Sequence, residues 1–234
     1  MSEITDFETY LSISPKKFGI YLFDINQKRN LYKEEITFKT ESQITELISL
    51  TKFLEDNIFK IEKLVGKFIK NIFLIIENNK IINIDMGIKK KNYKDIINKK
   101  NLENTIIDAK DLFKENYQDK KILHMIINKY IVNGHKYDYI EENLIADNYC
   151  IEVKFKSIEK KYLLQISKVL EKYQIEAIKY LDGEYIKNFC ENDKSEISEI
   201  AHKVQNGLNE NEVIIIPKNP KKLAFFEKFF QLFS

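Results

Sequence analysis

The sequence predicts a mixed α/β (α+β) fold, and three patterns carry that expectation. Short unbroken apolar runs, "FGIYLFDI" and "NIFLIIEN", have the length and continuity of strands buried on both faces. Longer stretches repeat apolar residues at helical spacing, as in "SIEKKYLLQISKVLEKYQ". "DNYCIEVKFKS" alternates: Tyr149, Ile151, Val153 and Phe155 fall on one face, and Cys150, Glu152 and Lys154 on the other. That is the signature of a half-exposed sheet. With 44% hydrophobic and 32% charged residues over 234 positions, the chain can bury a core and is not of a disordered type.

In chain order, residues 1–16 read as a polar lead-in and residues 18–25 as a first strand. "NLYKEEITFKT" suits a second strand through Leu31, Ile36 and Phe38. A helix follows, capped by Thr40 or Ser42. Ile44, Leu47, Ile48, Leu54, Ile58, Ile61 and Leu64 form its stripe, and Gly66 sits where a C′ glycine ends a helix. "NIFLIIEN" reads as a central strand, and the alternating "KIINIDMGI" as another. A lysine-rich loop over 89–100 leads to a helix whose face holds Leu102, Ile106, Ala109 and Phe113. "KILHMIINKYIVNG" and "DNYCIEVKFKS" are clear strands. Ser157 then opens a helix with Leu163, Ile166, Leu170 and Tyr173 buried, Lys160 standing where a capping-box Glu would be. A parallel connection is expected around that helix. "IEAIKYL" is a strand, residues 190–212 are polar with one helix over 196–204, and "EVIIIP" is strand-like.

Composition excludes several function classes. A net charge of +2 gives no electrostatic reason for a nucleic-acid partner, and Arg29 is the only arginine where bidentate readout leans on that residue. Cys150 and Cys190 lack ligand spacing, and His124, His135 and His202 are scattered, so no metal site is expected and a reducing cytosolic setting fits. The opening residues lack the apolar core of a signal peptide, and no run reaches transmembrane length. No catalytic triad, paired catalytic carboxylates or reactive cysteine context stands out. "HKYDYIEEN" over 135–143 reads as a solvated loop with a metal site as the outsider. "IKKKNYKDIINKK" reads as a solvated or membrane-facing loop, with nucleic-acid contact a weak alternative.

The chain ends "KNPKKLAFFEKFFQLFS". On a helix of 100° per residue, Phe226, Phe229, Phe230 and Phe233 fall at i, i+3, i+4 and i+7, flanked by Leu223, Phe225 and Leu232. Asn219 and Pro220 suit a cap and a first turn. Lys218, Lys221, Lys222 and Lys228 outweigh Glu227. A basic amphipathic helix with an aromatic face suits a bilayer interface. Packing back on the core and a helical dimer seam are the competing readings.

Several stretches in order resemble the FtsA family of bacterial cell-division proteins, of the actin superfamily. "LVGKFIKNIFLIIENNKI" is similar to the family segment that ends a long helix, forms a strand and enters an inserted subdomain. "DKKILHMIINKYIVNG" resembles that subdomain's "ILHVIPQEF-VDG". "CIEVKFKSIEKKYLLQISKVLEKYQIEAIKYL" matches its next strand, helix and strand, and "KKLAFFEKFFQLFS" resembles the family's membrane anchor. The likeness covers residues 17–189 and the tail, and the order of elements carries it.

The resemblance implies a partial actin-like subdomain over 17–83, with 179–189 returning to it, and an inserted SHS2-type (1C) small α/β subdomain over 84–178. A polar linker over 190–216 and a membrane-targeting helix over 217–234 complete the expected plan. A counterpart to the second lobe with its "DIGGGT" motif is not seen in this sequence. The stretch matched to the family's "D-x-G-T" phosphate turn is "FDINQKR": Asp24 remains, Asn26 replaces the glycine and Gln27 the hydroxyl residue. A phosphate cradle needs glycine for close backbone approach, so no cofactor is expected. Asp24 on its own reads as a turn residue.

The resulting expectation is a non-enzymatic adaptor at the cytoplasmic face of the cell membrane. Lys221, Lys222, Leu223, Phe225, Phe226, Phe229, Phe230, Leu232 and Phe233 would meet the anionic lipids of the inner membrane. Cell-division proteins, an FtsZ-like tubulin homologue among them, would be partners, with self-association through the SHS2-like subdomain and no nucleic acid. A divergent ATP-binding actin-like protein and an α/β interaction domain without a membrane role are the alternatives.

Overall fold

The computed structural model describes residues 6–38, 43–140, 144–190 and 196–214. Two sheets organise them. The first has five strands in the order β3-β2-β1-β4-β9, built from β1 (Phe7–Ile13), β2 (Lys17–Asp24), β3 (Arg29–Thr37), β4 (Asn71–Ile76) and β9 (Glu176–Asp182). β1 to β3 form an antiparallel meander, while β4 runs parallel to both β1 and β9.

Side chains alternate along these strands into two cores, as the period of two requires. Leu11, Ile13, Phe18, Ile20, Leu22, Leu74 and Ile76 face α1 (Gln43–Val65) and α3 (Lys160–Glu171). Tyr10, Tyr21, Phe23, Ile75 and Leu181 face α4 (Gly183–Lys187) and α5 (Ile197–Gln205). The expectation of a fully buried strand at "FGIYLFDI" and a central strand at "NIFLIIEN" therefore holds.

The second sheet, in the order β5-β8-β6-β7, is antiparallel throughout and lies in chain order between β4 and α3. It comprises β5 (Ile82–Ile96), β6 (Lys120–Val132), β7 (His135–Tyr137) and β8 (Ile145–Glu159). α2 (Lys99–Asn116) covers one face through Ala109 and Phe113, against Tyr149, Ile151, Val153 and Phe155. Cys150, Glu152 and Lys154 lie half-buried on the alternate positions. The half-exposed sheet and the face of α2 match the sequence reading.

Several boundaries need correction. The polar lead-in expected over 1–16 contains β1, an interior strand flanked by β2 and β4. α3 and β9 belong to the first sheet, because β9 bonds in register to β4; the second unit spans 82–159 rather than 84–178. The parallel partner of β9 is thus β4, while β8 lies in the other sheet. The lysine-rich loop over 89–100 is largely the second half of β5, an edge strand, where lysines discourage pairing with other chains. β8 runs through Ser157 to Glu159, so Ser157 is wholly buried within the strand and caps nothing; the N-cap of α3 is Glu159.

In α1 the buried stripe is Leu50, Phe53, Leu54, Ile58 and Ile61, while Ile48 (69% exposed) and Leu64 (47%) point to solvent. Gly66 does end that helix, at φ +71°, with its N–H donating to Glu62. The caps Thr40 and Ser42 lie outside the described residues.

Residues 196–214 are not a linker. Ile200, Ala201 and Val204 of α5 are buried against the first sheet. The segment beyond it joins the free edge of β6: Ile127 N–H donates to Asn211 O at 2.8 Å, and Val213 N–H to Met125 O at 2.8 Å. The rest of the expected linker, over 191–195 and 215–216, and the amphipathic helix expected over 217–234 lie outside the described residues.

Candidate functional site

In open sheets of this kind ligands gather beyond the carboxyl ends of parallel strands, where the strand order reverses. Here that point lies between β1 and β4, since the chain leaves β1 toward β2 on one side and returns at β4 on the other. A cavity of about 690 Å³ opens there, with Ser12, Ser14, Glu35, Glu77, Lys187 and Glu196 among its lining residues.

The turn from β1 to β2 forms its floor. Ser14 N–H donates to Lys17 O at 2.9 Å, Lys17 N–H to Ser14 Oγ at 3.0 Å, and Ser14 Oγ to Lys17 O at 3.0 Å. Pro15 between them has no N–H. A phosphate cradle works by pointing successive free N–H groups at the anion. This turn has spent two of its four on itself and lacks a third.

The charges around the cavity are paired across elements. Lys17 meets Glu35 at 2.8 Å, Lys33 meets Glu196 at 2.8 Å, and Lys187 meets Glu77 at 2.6 Å. Tyr21 lies across Gly19, where a Cβ would fall 2.4 Å from its hydroxyl, and donates to Glu35, the residue that pairs with Gly19 in register. Burial alone would push the Glu35 carboxyl up, but hydrogen bonds from Lys17 and Tyr21 outweigh it and hold it below the usual range. Burial and the same carboxylate push the Tyr21 phenol far up. The Glu196 hydrogen bond holds the Lys33 ammonium above its ordinary value. These ion pairs tie β2 to β3, β3 to the start of α5, and α4 to the segment that follows β4.

The turn expected to be a phosphate-loop remnant is elsewhere. Asp24 pairs with Phe7, the first residue of β1, so the turn that follows lies at the opposite end of the sheet from the cavity. Asp24 Oδ1 accepts from the N–H groups of Asn26 and Gln27, both at 2.9 Å, which makes it a self-capped turn between β2 and β3. The turn-residue reading of Asp24 fits these bonds, and the matching of "FDINQKR" to a phosphate turn is corrected: position in the sheet sets Asp24, Asn26 and Gln27 apart from the switch point. The membrane-facing set from Lys221 to Phe233 lies outside the described residues.

Sequence reasoning missed a second constellation, at the joint between the two sheets. Asp182 N–H, at the end of β9, donates to His124 Nε2 at 2.9 Å. That leaves His124 Nδ1 to donate to Glu212 Oε1 at 2.6 Å. Tyr185 Oη donates to Glu212 Oε2 at 2.9 Å and accepts from Asn209 Nδ2 at 2.8 Å. Lys156 of β8 meets Asp182 Oδ2 at 2.6 Å, and Asp182 Oδ1 caps α4 by accepting from Glu184 N–H. The His124 and Asp182 side chains are 0% and 2% exposed, and burial pushes the Tyr185 phenol well up. Buried polar groups joined this completely specify one arrangement. They position three chain segments rather than offering a free acid, base or nucleophile.

The "HKYDYIEEN" stretch contributes β7, and among the described residues no cluster of His, Cys, Asp and Glu is arranged to hold a metal. Cys150 and Cys190 are free thiols, each pushed up by burial. No helix among the described residues is long and apolar enough to cross a membrane.

No protein-family model matches the chain, and no curated protein matches it. Among solved structures it is similar to the cytoplasmic domain of EpsL, an inner membrane component of the type II secretion system of Vibrio cholerae, at 9% identity over 77% of this chain and 57% of that one, TM-score 0.36. It is similar to a PilM-PilN type IV pilus biogenesis complex at 9% identity over 76% and 48%, TM-score 0.46. It is also similar to a Bacteroides thetaiotaomicron protein of actin-like ATPase fold and unknown function, at 14% identity over 78% and 55%, TM-score 0.32. The chain thus spans about half the length of these structures, and the superpositions are partial.

Proposed function

We propose that this chain is a non-enzymatic, membrane-tethered adaptor of the FtsA type. One sheet with helices on both faces would serve as scaffold, and the inserted unit, read as SHS2-like, would serve as interaction module. The observation that carries the non-enzymatic part is the switch-point cavity. Three of its lysines are bonded to carboxylates, and the turn beneath it holds a proline where a phosphate cradle needs N–H groups. The membrane part rests on the sequence of residues 217–234, whose aromatic arc and lysines suit the interface of an anionic cytoplasmic leaflet. Its partners would be cell-division proteins, a tubulin homologue among them, with self-association through the inserted unit.

The test compares the full chain with one ending at 219 for co-sedimentation with vesicles rich in anionic lipid. Loss of binding on truncation is expected; equal binding would sink the membrane reading. One observation favours a second reading, a divergent ATP-binding protein: about 690 Å³ lies within the size range of small-molecule sites. Titration calorimetry separates the two, since micromolar ATP binding would displace the adaptor proposal.

A further inference from the structure

The edge strand β5 is interrupted by a built protrusion. Its pairing with β8 slips between Lys91 and Asp95, and two consecutive non-glycine residues inside the slip, Tyr93 and Lys94, adopt φ of +53° and +61°. Left-handed backbone at two side-chain-bearing residues costs free energy and persists only where the surroundings enforce it. The enforcing group is Asn92, 8% exposed. Its Nδ2 donates to Asp95 O at 2.6 Å, and its Oδ1 accepts from Asn101 Nδ2 at 3.4 Å, in the first turn of α2.

The product of this geometry is a tyrosine standing 81% exposed at a sheet edge. Beside it, Ile96 pairs with Ile145 across β5 and β8, and the two are 40% and 60% exposed. Lys91, Lys94 and Lys100 flank this apolar group and are themselves exposed.

We propose that this protrusion is a second membrane contact, with Tyr93 entering the headgroup region of an anionic bilayer and the lysines meeting its phosphates. The inference rests on the membrane-tether reading above but on different residues. The chemistry favours a bilayer over a nucleic acid. Tyrosine with a polar tip and an apolar body suits the interface, and exposed isoleucines gain from acyl chains and nothing from a phosphodiester backbone. Lysine serves a diffuse anionic surface, whereas bidentate base readout relies on arginine. An edge strand with no partner on its outer side among the described residues can approach a plane without disturbing the sheet.

The chain contains no tryptophan, so Tyr93→Trp creates a single indole fluorophore at the tip. The full-length variant is mixed with vesicles of phosphatidylcholine alone and of phosphatidylcholine with phosphatidylglycerol, and the same is done in a background carrying Phe229→Glu and Phe230→Glu. A blue shift of the indole emission on the anionic vesicles in the unaltered background, with weaker binding but the same shift for the bound fraction in the second, is the expected result. Lys91→Glu and Lys94→Glu are each expected to lower vesicle affinity roughly fivefold or more. Binding without any change in the indole emission would overturn this proposal and leave the tail reading standing. No binding in either background would overturn both. An emission response to a duplex oligonucleotide and not to vesicles would replace the bilayer with a nucleic acid.

Discussion

The two sheets meet the same requirement, burial of apolar side chains, in opposite ways. The first is covered on both faces, by α1 and α3 above and by α4 and α5 below, and its strands β2 and β4 read as nearly continuous apolar runs. The second is covered on one face by α2, while Cys150, Glu152 and Lys154 of its other face stay half-buried. A sheet closed on both sides has no strand face to spare for a partner, while a half-covered one keeps a face and an edge. The division of labour proposed above, scaffold in the first and contact in the second, would use that asymmetry.

The comparison can be broken most directly in the single-sided core. Phe113 stacks on Phe155 with ring centroids 4.6 Å apart, and both are fully buried. Phe113→Ala should cost about 3–5 kcal/mol. Hydrogen exchange should show protection lost in β5, β6 and β8 before β1, β2 and β4; uniform loss would mean that the sheets form one cooperative unit.

At the joint, Asp182→Ala removes the α4 cap and leaves Lys156, whose side chain is 15% exposed, without its partner. A loss of about 3–5 kcal/mol in urea unfolding is expected, and under about 1 would show that the joint does not couple the sheets.

Alkaline titration probes the face of the first sheet that packs against α4 and α5, where Tyr10, Tyr21 and Tyr185 share one core. Burial first, then neighbouring glutamates, push the Tyr10 and Tyr21 phenols far above 10, and burial does the same for Tyr185. A raised phenol keeps its proton when folded and loses it near 10 when unfolded. Its stabilisation is therefore complete below pH 10 and declines as pH climbs from there toward the folded value. Stability should fall above pH 10, and Tyr10→Phe should flatten that fall; an unchanged slope would exclude Tyr10 as a source.

Tyr185→Phe, which removes the bonds to Glu212 and from Asn209, should cost about 1 kcal/mol or somewhat more by thermal unfolding. The smallest effect should come from the other face of the second sheet: Lys129→Ala breaks a half-exposed pair with Glu152 and should change stability by less than about 1 kcal/mol.

Much of the fold was legible where local pattern and burial coincide. β2, β4, β8 and the face of α2 could be read directly from apolar continuity or spacing. β1 was not, because "FETYLSI" carries Glu8, Thr9 and Ser12 among its apolar residues. The structure shows why the first is tolerated: Glu8 accepts from Tyr10 and binds His202 of α5 at 2.7 Å. With β1 unread, "FGIYLFDI" stands as the first strand, and its end at Asp24 is the turn that the family resemblance matches to a phosphate loop. In α5 the signal was present, since Ile197, Ile200, Ala201 and Val204 keep helical spacing inside a polar stretch. The boundary of the second unit depends on β4 pairing with a strand 105 positions later, Asn71 with Glu176, and no local period encodes that. The joint was equally hidden, because His124, Asp182 and Glu212 come from three distant segments.

Glu212 holds His124 with one carboxylate oxygen and Tyr185 with the other, two residues before the last described position, Ile214. Tension applied to the chain beyond that point is therefore received at this carboxylate, at the two backbone bonds to β6 and at Val213, which packs against the core of the second sheet. Mechanically, Glu212 is a clasp, and a pull on the chain beyond Ile214 would be felt first along the line where the two sheets meet.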